Sequence, residues 1–235
     1  MFAIYKRELR SYFVGVIGYV FLVIYLAMAG LLFSYTTMFS MSSDVTTYFT
    51  LMLIFSAIVL PLLTMKSFSE ERKTKTEQLI LTAPVSLVSM VFGKFLASYT
   101  VFGAATILTS FYFYLLIPYT QLQFAVLYGN LVALLLVGMV FISIGLFVSA
   151  LTENQLSAAI GTIAIILGFL GIGLINSLIP TSYAIRFFFD ALSIFSRFQG
   201  YVNGYFEFAS IIYYLSVSGI FLWLTVRVYD RRRFG

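Results

Sequence analysis

The chain has 235 residues, 61% of them apolar and 10% charged, with a formal net charge of +5. A soluble domain runs at about 45–50% apolar and about 25% charged, so a soluble fold of this size is excluded. Cysteine and histidine are absent, which removes disulfides, thiolate and imidazole metal sites, and cysteine or histidine catalysis. The basic excess flanks long apolar runs instead of forming a soluble basic face with interleaved aromatics, so it speaks for membrane topology and against nucleic acid.

Residues 1–13 mix Phe2, Ile4, Leu9, Tyr12 and Phe13 with Lys6, Arg7 and Arg10. The pattern fits an interfacial helix reaching toward lipid head groups, and also a basic flank that only sets topology. No small-residue cleavage site follows, so the segment reads as retained.

A crossing helix needs about 20 mostly apolar residues, because lipid offers its backbone no hydrogen-bond partners. Charge-free windows predict spans over about 14–35, 48–63, 96–117, 125–151, 156–179 and 209–226, with Pro118-Tyr119-Thr120-Gln121 separating the third from the fourth and Pro180 closing the fifth. No ionisable side chain falls inside these six spans. That argues against proton-coupled transport or voltage sensing, whose mechanisms need intramembrane charge.

Residues 66–84 form the most polar stretch. Ser67 with Glu70, and Thr74 with Glu77, have capping-box spacing and predict two helix starts. Pro84 stops the second helix, and Glu71 with Lys75 forms an i,i+4 pair. A short helix with a charged entry and an apolar Leu79, Ile80, Leu81 edge suits a groove on a soluble partner; a solvated connecting loop fits the same residues.

In the fifth span Ser157, Gly161, Ala164, Gly168 and Gly171 place small side chains on one face, the pattern of close helix packing in lipid. It suits a dimer interface or packing against another span of the same chain. Over 180–210, the polar Arg186, Asp190, Ser193 and Arg197 oppose Ile185, Phe188, Phe189, Leu192 and Phe195, the mark of an amphipathic helix. Polar breaks at Gln199-Gly200 and Asn203-Gly204 follow. Such a segment either lines a gate or lies on the outer leaflet.

Lysine and arginine set the orientation. With both termini in the cytoplasm, Lys6, Arg7, Arg10, Lys66, Arg72, Lys73, Lys75, Lys94, Arg227 and Arg231, Arg232, Arg233 all lie inside, and Arg186 and Arg197 lie outside. An odd number of spans would separate the basic ends.

The run from Glu70 to Leu79, then Thr82-Ala83-Pro84-Val85-Ser86 and Gly93-Lys94, resembles the first cytoplasmic loop of type-2 (export) ABC permeases. Lys75 stands where that family usually has glycine. Lys6-Arg7-Glu8-Leu9, Ser11-Tyr12-Phe13 and Gly18-Tyr19-Val20-Phe21 resemble the gliding-motility-associated branch, with Val16-Ile17 replacing its usual serine-proline. The resemblance implies a single permease domain over 1–235, in an all-α polytopic fold with six transmembrane helices and re-entrant external helices between the last two. It also implies a second permease copy or paralogue, and a separate cytoplasmic ABC ATPase carrying ATP and Mg, because the chain has no phosphate-cradling G-x-x-x-x-G-K-[ST] motif. The chain itself then has no cofactor and no catalysis. On this reading it sits in the cytoplasmic (inner) membrane of a prokaryote, in contact with lipid. The implied ATPase-coupling residues are Glu70, Glu71, Thr74, Thr76, Glu77, Leu79 and Leu81, and the external gate Arg186, Phe188, Phe189, Asp190, Phe195 and Arg197. A mechanical subunit of an ABC-type machine is the alternative, with a channel or secondary transporter behind it.

Overall fold

The computed structural model describes residues 1–39, 45–78, 86–118, 123–178, 193–205 and 207–234, with backbone alone at 174–178 and 234. The helices in chain order are α1 (Phe2–Val14), α2 (Val16–Phe33), α3 (Thr46–Thr64), α4 (Lys66–Lys73), α5 (Leu87–Thr109), the one-turn α6 (Phe111–Tyr114), α7 (Phe124–Leu151), α8 (Gln155–Leu178), α9 (Ile194–Val202) and α10 (Phe208–Phe234). A π-helical turn over Ser34–Phe39 extends α2.

Among the described residues, six helical stretches are long and apolar enough to cross a membrane: Val16–Phe39, Thr46–Lys73, Leu87–Tyr114, Phe124–Leu151, Gln155–Gly173 and Phe208–Arg233. The fold is that of a multi-pass, helical membrane protein. The expected fourth and fifth spans agree with α7 and α8 to within a residue or two. The third does not: α5 starts at Leu87, so Lys94 lies about two turns inside the helix instead of ahead of it. A lysine is a poor marker of a span's edge when the fold supplies partners for it.

Helix α7 is the hub, packed against α3, α4, α5, α8, α9 and α10. Two glycines set how close its neighbours come. A Cβ at Gly138 would collide with the Phe102 ring of α5, and one at Gly145 would lie 2.9 Å from Thr64 Cβ of α3. Packing, not expulsion from water, holds helices together in lipid, so such notches carry much of the association. Polar groups inside the bundle find one another: the buried Tyr25 hydroxyl of α2 lies 3.3 Å from Thr106 Oγ1 of α5 and 3.5 Å from Ser56 Oγ of α3.

The short α9 packs against α3, α7 and α8, with Gln199 and Val202 beside Thr46 and Thr50 at the end of α3 opposite α4. Ser193 caps it, accepting from Ser196 N at 3.0 Å. Ile194, Phe198, Tyr201 and Val202 form its buried face. The expected break at Gln199-Gly200 is absent because the helix runs through it. The Asn203-Gly204 break is present, with Gly204 at φ 83°.

Candidate functional site: an ionic joint between three helices

The joint begins where α3 runs on into α4. Pro61 has no N–H to donate within α3, and one turn residue, Met65, which keeps helical φ −55° and ψ −33°, joins the two helices. Ser149 of α7 secures the turn: Phe68 N and Ser69 N each donate to its Oγ at 3.1 Å, and that hydroxyl donates to Met65 O at 3.1 Å. Neither predicted capping box forms. Ser67 is buried inside α4, whose start has no side-chain cap. Thr74 instead closes the C-terminus of α4, its Oγ1 donating to Glu70 O at 2.8 Å. Lys75 N then donates to Arg72 O at 3.1 Å, and Lys75 takes φ 59°. That is the left-handed position that ends many helices and that glycine suits, in keeping with the glycine usual there in the resembled pattern. Lys75 therefore cannot pair with Glu71; the i,i+4 pair on α4 is Lys66–Glu70, at 4.0 Å. Helical geometry resumes at Glu77 and Gln78.

Glu71 is turned inward. Lys94 Nζ of α5, only 1% exposed, lies 2.8 Å from Glu71 Oε1 and 3.4 Å from Glu8 Oε1 of α1, and donates to Ser67 O at 2.6 Å. An ammonium has three donors, and here three oxygens meet it. The Phe68 ring lies 4.9 Å from the same nitrogen, a cation–π contact. Arg7 Nη2 adds a second cation, 2.7 Å from Glu8 Oε1 and 3.4 Å from Glu71 Oε1. Glu8 beside it holds the Arg7 guanidinium above its ordinary pKa against the opposing effect of burial. Two cations balance two carboxylates, and full pairing of this kind is what a buried charge requires.

Gly93 makes the contact possible. A Cβ there would sit 3.0 Å from Ile4 Cγ2 and 3.4 Å from Tyr5 N, so glycine lets α1 lie close enough to α5 for Glu8 to reach Lys94. The buried Tyr12 hydroxyl of α1 adds a second tie, 2.8 Å from Ser98 Oγ, 3.3 Å from Leu63 O and 3.4 Å from Ser67 Oγ. Burial pushes the Tyr12 phenol upward, which keeps its proton in place.

Beside this joint, two arginines cover the C-terminal carbonyls of α7. Arg72 donates to Leu151 O at 2.9 Å and pairs with Glu153 at 2.8 Å. Arg232 of α10 donates to Ala150 O at 2.7 Å and pairs with Glu77 Oε1 at 2.9 Å. Both lie at the negative end of the helix dipole.

Of the candidate coupling residues, Glu70, Thr74 and Thr76 lie on the exposed side of α4 and its turn, with Thr74 and Thr76 hydroxyls 2.9 Å apart. Glu71 and Glu77 are held by Lys94 and Arg232, while Leu79 and Leu81 fall outside the described residues. So do Arg186, Phe188, Phe189 and Asp190 of the external segment. Phe195 packs near Gly173, and the Arg197 guanidinium lies 4.5 Å from the Tyr213 ring centroid. On α8, Ser157, Ala164 and Gly168 are exposed. A Cβ at Gly161 would meet Val148 of α7 at 3.2 Å, and one at Gly168 or Gly171 would meet nothing within 4 Å. The sequence alone assigns Glu8 and Lys94 no functional role, because their partners lie far away along the chain; they belong there to the Lys6-Arg7-Glu8-Leu9 and Gly93-Lys94 motifs.

A family model described as ABC-2 family transporter protein matches residues 32–227. The matched stretch contains α3 through α9, with Glu71 and Lys94, and leaves α1 outside. No curated protein matches the chain.

Proposed function

The chain belongs to the ABC-2 transporter family, whose members are membrane components that normally work with an ABC ATPase, and from that premise we propose that it is the permease subunit of an ATP-driven exporter. ATP and Mg are bound and hydrolysed on a separate cytoplasmic chain. That chain grips α4 and the following loop at Glu70, Thr74, Thr76, Glu77, Leu79 and Leu81. Both termini lie in the cytoplasm of a prokaryotic cell whose inner membrane holds the subunit. Two copies, or this chain and a paralogue, meet along the small-residue face of α8. External re-entrant helices within 180–210 form the gate with Arg186, Phe188, Phe189, Asp190, Phe195 and Arg197. The gliding-motility-associated branch is the assignment within the family.

One observation carries the coupling step: Glu71 of α4 is tied through buried Lys94 to α5 and, by Glu8, to α1. A displacement of α4 must therefore move both helices or break a paired, desolvated charge. Copurification from native membranes followed by reconstitution into vesicles tests the reading. An ATPase should accompany the chain, and the double variant Lys94→Met with Glu71→Gln, which leaves no unpaired carboxylate at position 71, should leave hydrolysis running while transport falls at least tenfold. Purification without any ATPase, or transport that tracks hydrolysis in the variant, would sink it.

A further inference from the structure

At the charged end of the bundle, α1 and α4 enclose an open cleft of about 580 Å³, bordered by Arg7, Ser11, Lys66, Glu70, Thr74 and Thr76 as well as the ionic joint. Val16 and Ile17 line this cleft and also the head of a second hollow of about 180 Å³ between α2 and α3, walled by Val20, Ile24, Val59 and Leu62. The second hollow is almost purely apolar, and Val16, Val20, Ile24 and Leu62 are all exposed in it. The two hollows share a wall formed by Val16 and Ile17, so a polar, charged cleft adjoins an apolar groove along the helices. From Val16 to Ile24 that groove extends about 12 Å at 1.5 Å per residue.

From this adjacency we propose that the chain holds one phospholipid with a phosphate and a primary ammonium in its head group, a phosphatidylethanolamine, its head in the cleft and an acyl chain between α2 and α3. Charge decides the lipid class. Arg7, Lys66 and Lys94 balance Glu8, Glu70 and Glu71 around the cleft, so a head group of zero net charge leaves the site neutral, whereas an anionic one adds an unmatched negative charge beside three carboxylates. Among the described residues both side-chain bonds of Arg7 use Nη2, which leaves Nη1 and Nε as donors to phosphate. Lys66 is held by Glu70 only loosely, at 4.0 Å. The phosphate takes Arg7 and Lys66, and the ammonium takes Glu70 and the threonine hydroxyls. A choline head group has no N–H to give those acceptors. The inference stands on the shape and charge of the cleft; because Glu70, Thr74 and Thr76 are also proposed ATPase contacts, the lipid is read on the chain free of ATPase.

Delipidated full-length chain in detergent, titrated with phosphatidylethanolamine, phosphatidylglycerol and phosphatidylcholine of equal chain length, tests it by native mass spectrometry. One phosphatidylethanolamine per chain should be retained about tenfold more strongly than either competitor. Lys66→Gln and Glu70→Gln should each lower that retention about tenfold, the loss of one charge-assisted bond. Val20→Trp, which fills the groove, should abolish it without lowering the melting temperature of the lipid-free chain; if that variant does not fold, Leu62→Trp on the facing wall is read instead. Equal retention of phosphatidylglycerol or phosphatidylcholine overturns the head-group assignment, and retention unaffected by the tryptophan overturns the site.

Discussion

Lys94 Nζ of α5 and Glu71 Oε1 of α4 lie 2.8 Å apart with the ammonium almost wholly buried, so a helix within the third span is bonded to the helix that continues the second. Glu8 and Arg7 of α1 complete a four-charge cluster around that pair.

Removing the cation alone leaves two carboxylates facing each other with one exposed arginine between them. Lys94→Met should therefore destabilise the chain by about 3 kcal/mol, the low end for breaking a buried pair, read as a fall in thermal unfolding temperature in detergent. Adding Glu71→Gln should recover much of the loss. Strictly additive losses in the double variant would argue against direct pairing.

Glycines on the hub helix and on α8 should respond in opposite ways. Gly145→Ala drives a methyl into Thr64 and should cost about 1–3 kcal/mol by overpacking. Gly168→Ala meets nothing within 4 Å and should be neutral, or gain up to about 1 kcal/mol of helix propensity. Comparing melting curves of the two variants checks both, and a large loss at Gly168 would mean that this face is packed in the isolated chain.

Lys75 adopts φ 59° at the end of α4, a conformation that costs a residue with a side chain about 1–3 kcal/mol and glycine little. Lys75→Gly should raise stability by about 1 kcal/mol, while Lys75→Val should lower it because branching at Cβ crowds that conformation further. If both variants melt with the parent, the turn contributes nothing to folding.

The chain has no native cysteine, which makes crosslinking unambiguous. With a copy packed along α8, Gly168→Cys should give an oxidant-dependent dimer in membranes. Ile166→Cys, buried within the chain, should not. Absence of product at Gly168 in folded, membrane-inserted protein would remove α8 as the meeting face.

The membrane class and six apolar crossings were legible from the sequence because lipid imposes a length and an apolar composition on each span separately. Residues 124–151 and 155–178 show how well such a local rule performs. The failures share a cause. Lys94 looked like a boundary because its partners stand 23 and 86 positions away at Glu71 and Glu8, and pairing at that separation exists only once α1, α4 and α5 pack. Ser67 and Thr74 had the spacing of caps, yet α7 supplies Ser149 to the start of α4, and Thr74 is taken by its end. The glycine stripe of α8 was visible by period, while Gly138 and Gly145, which admit Phe102 and Thr64, carry no pattern that names what enters them. The sequence by itself determined which segments are long and apolar enough to lie in lipid. Tertiary structure alone decided which charge could be buried, since the buried Lys94 ammonium is met by oxygens at all three of its donors only once α1, α4 and α5 pack.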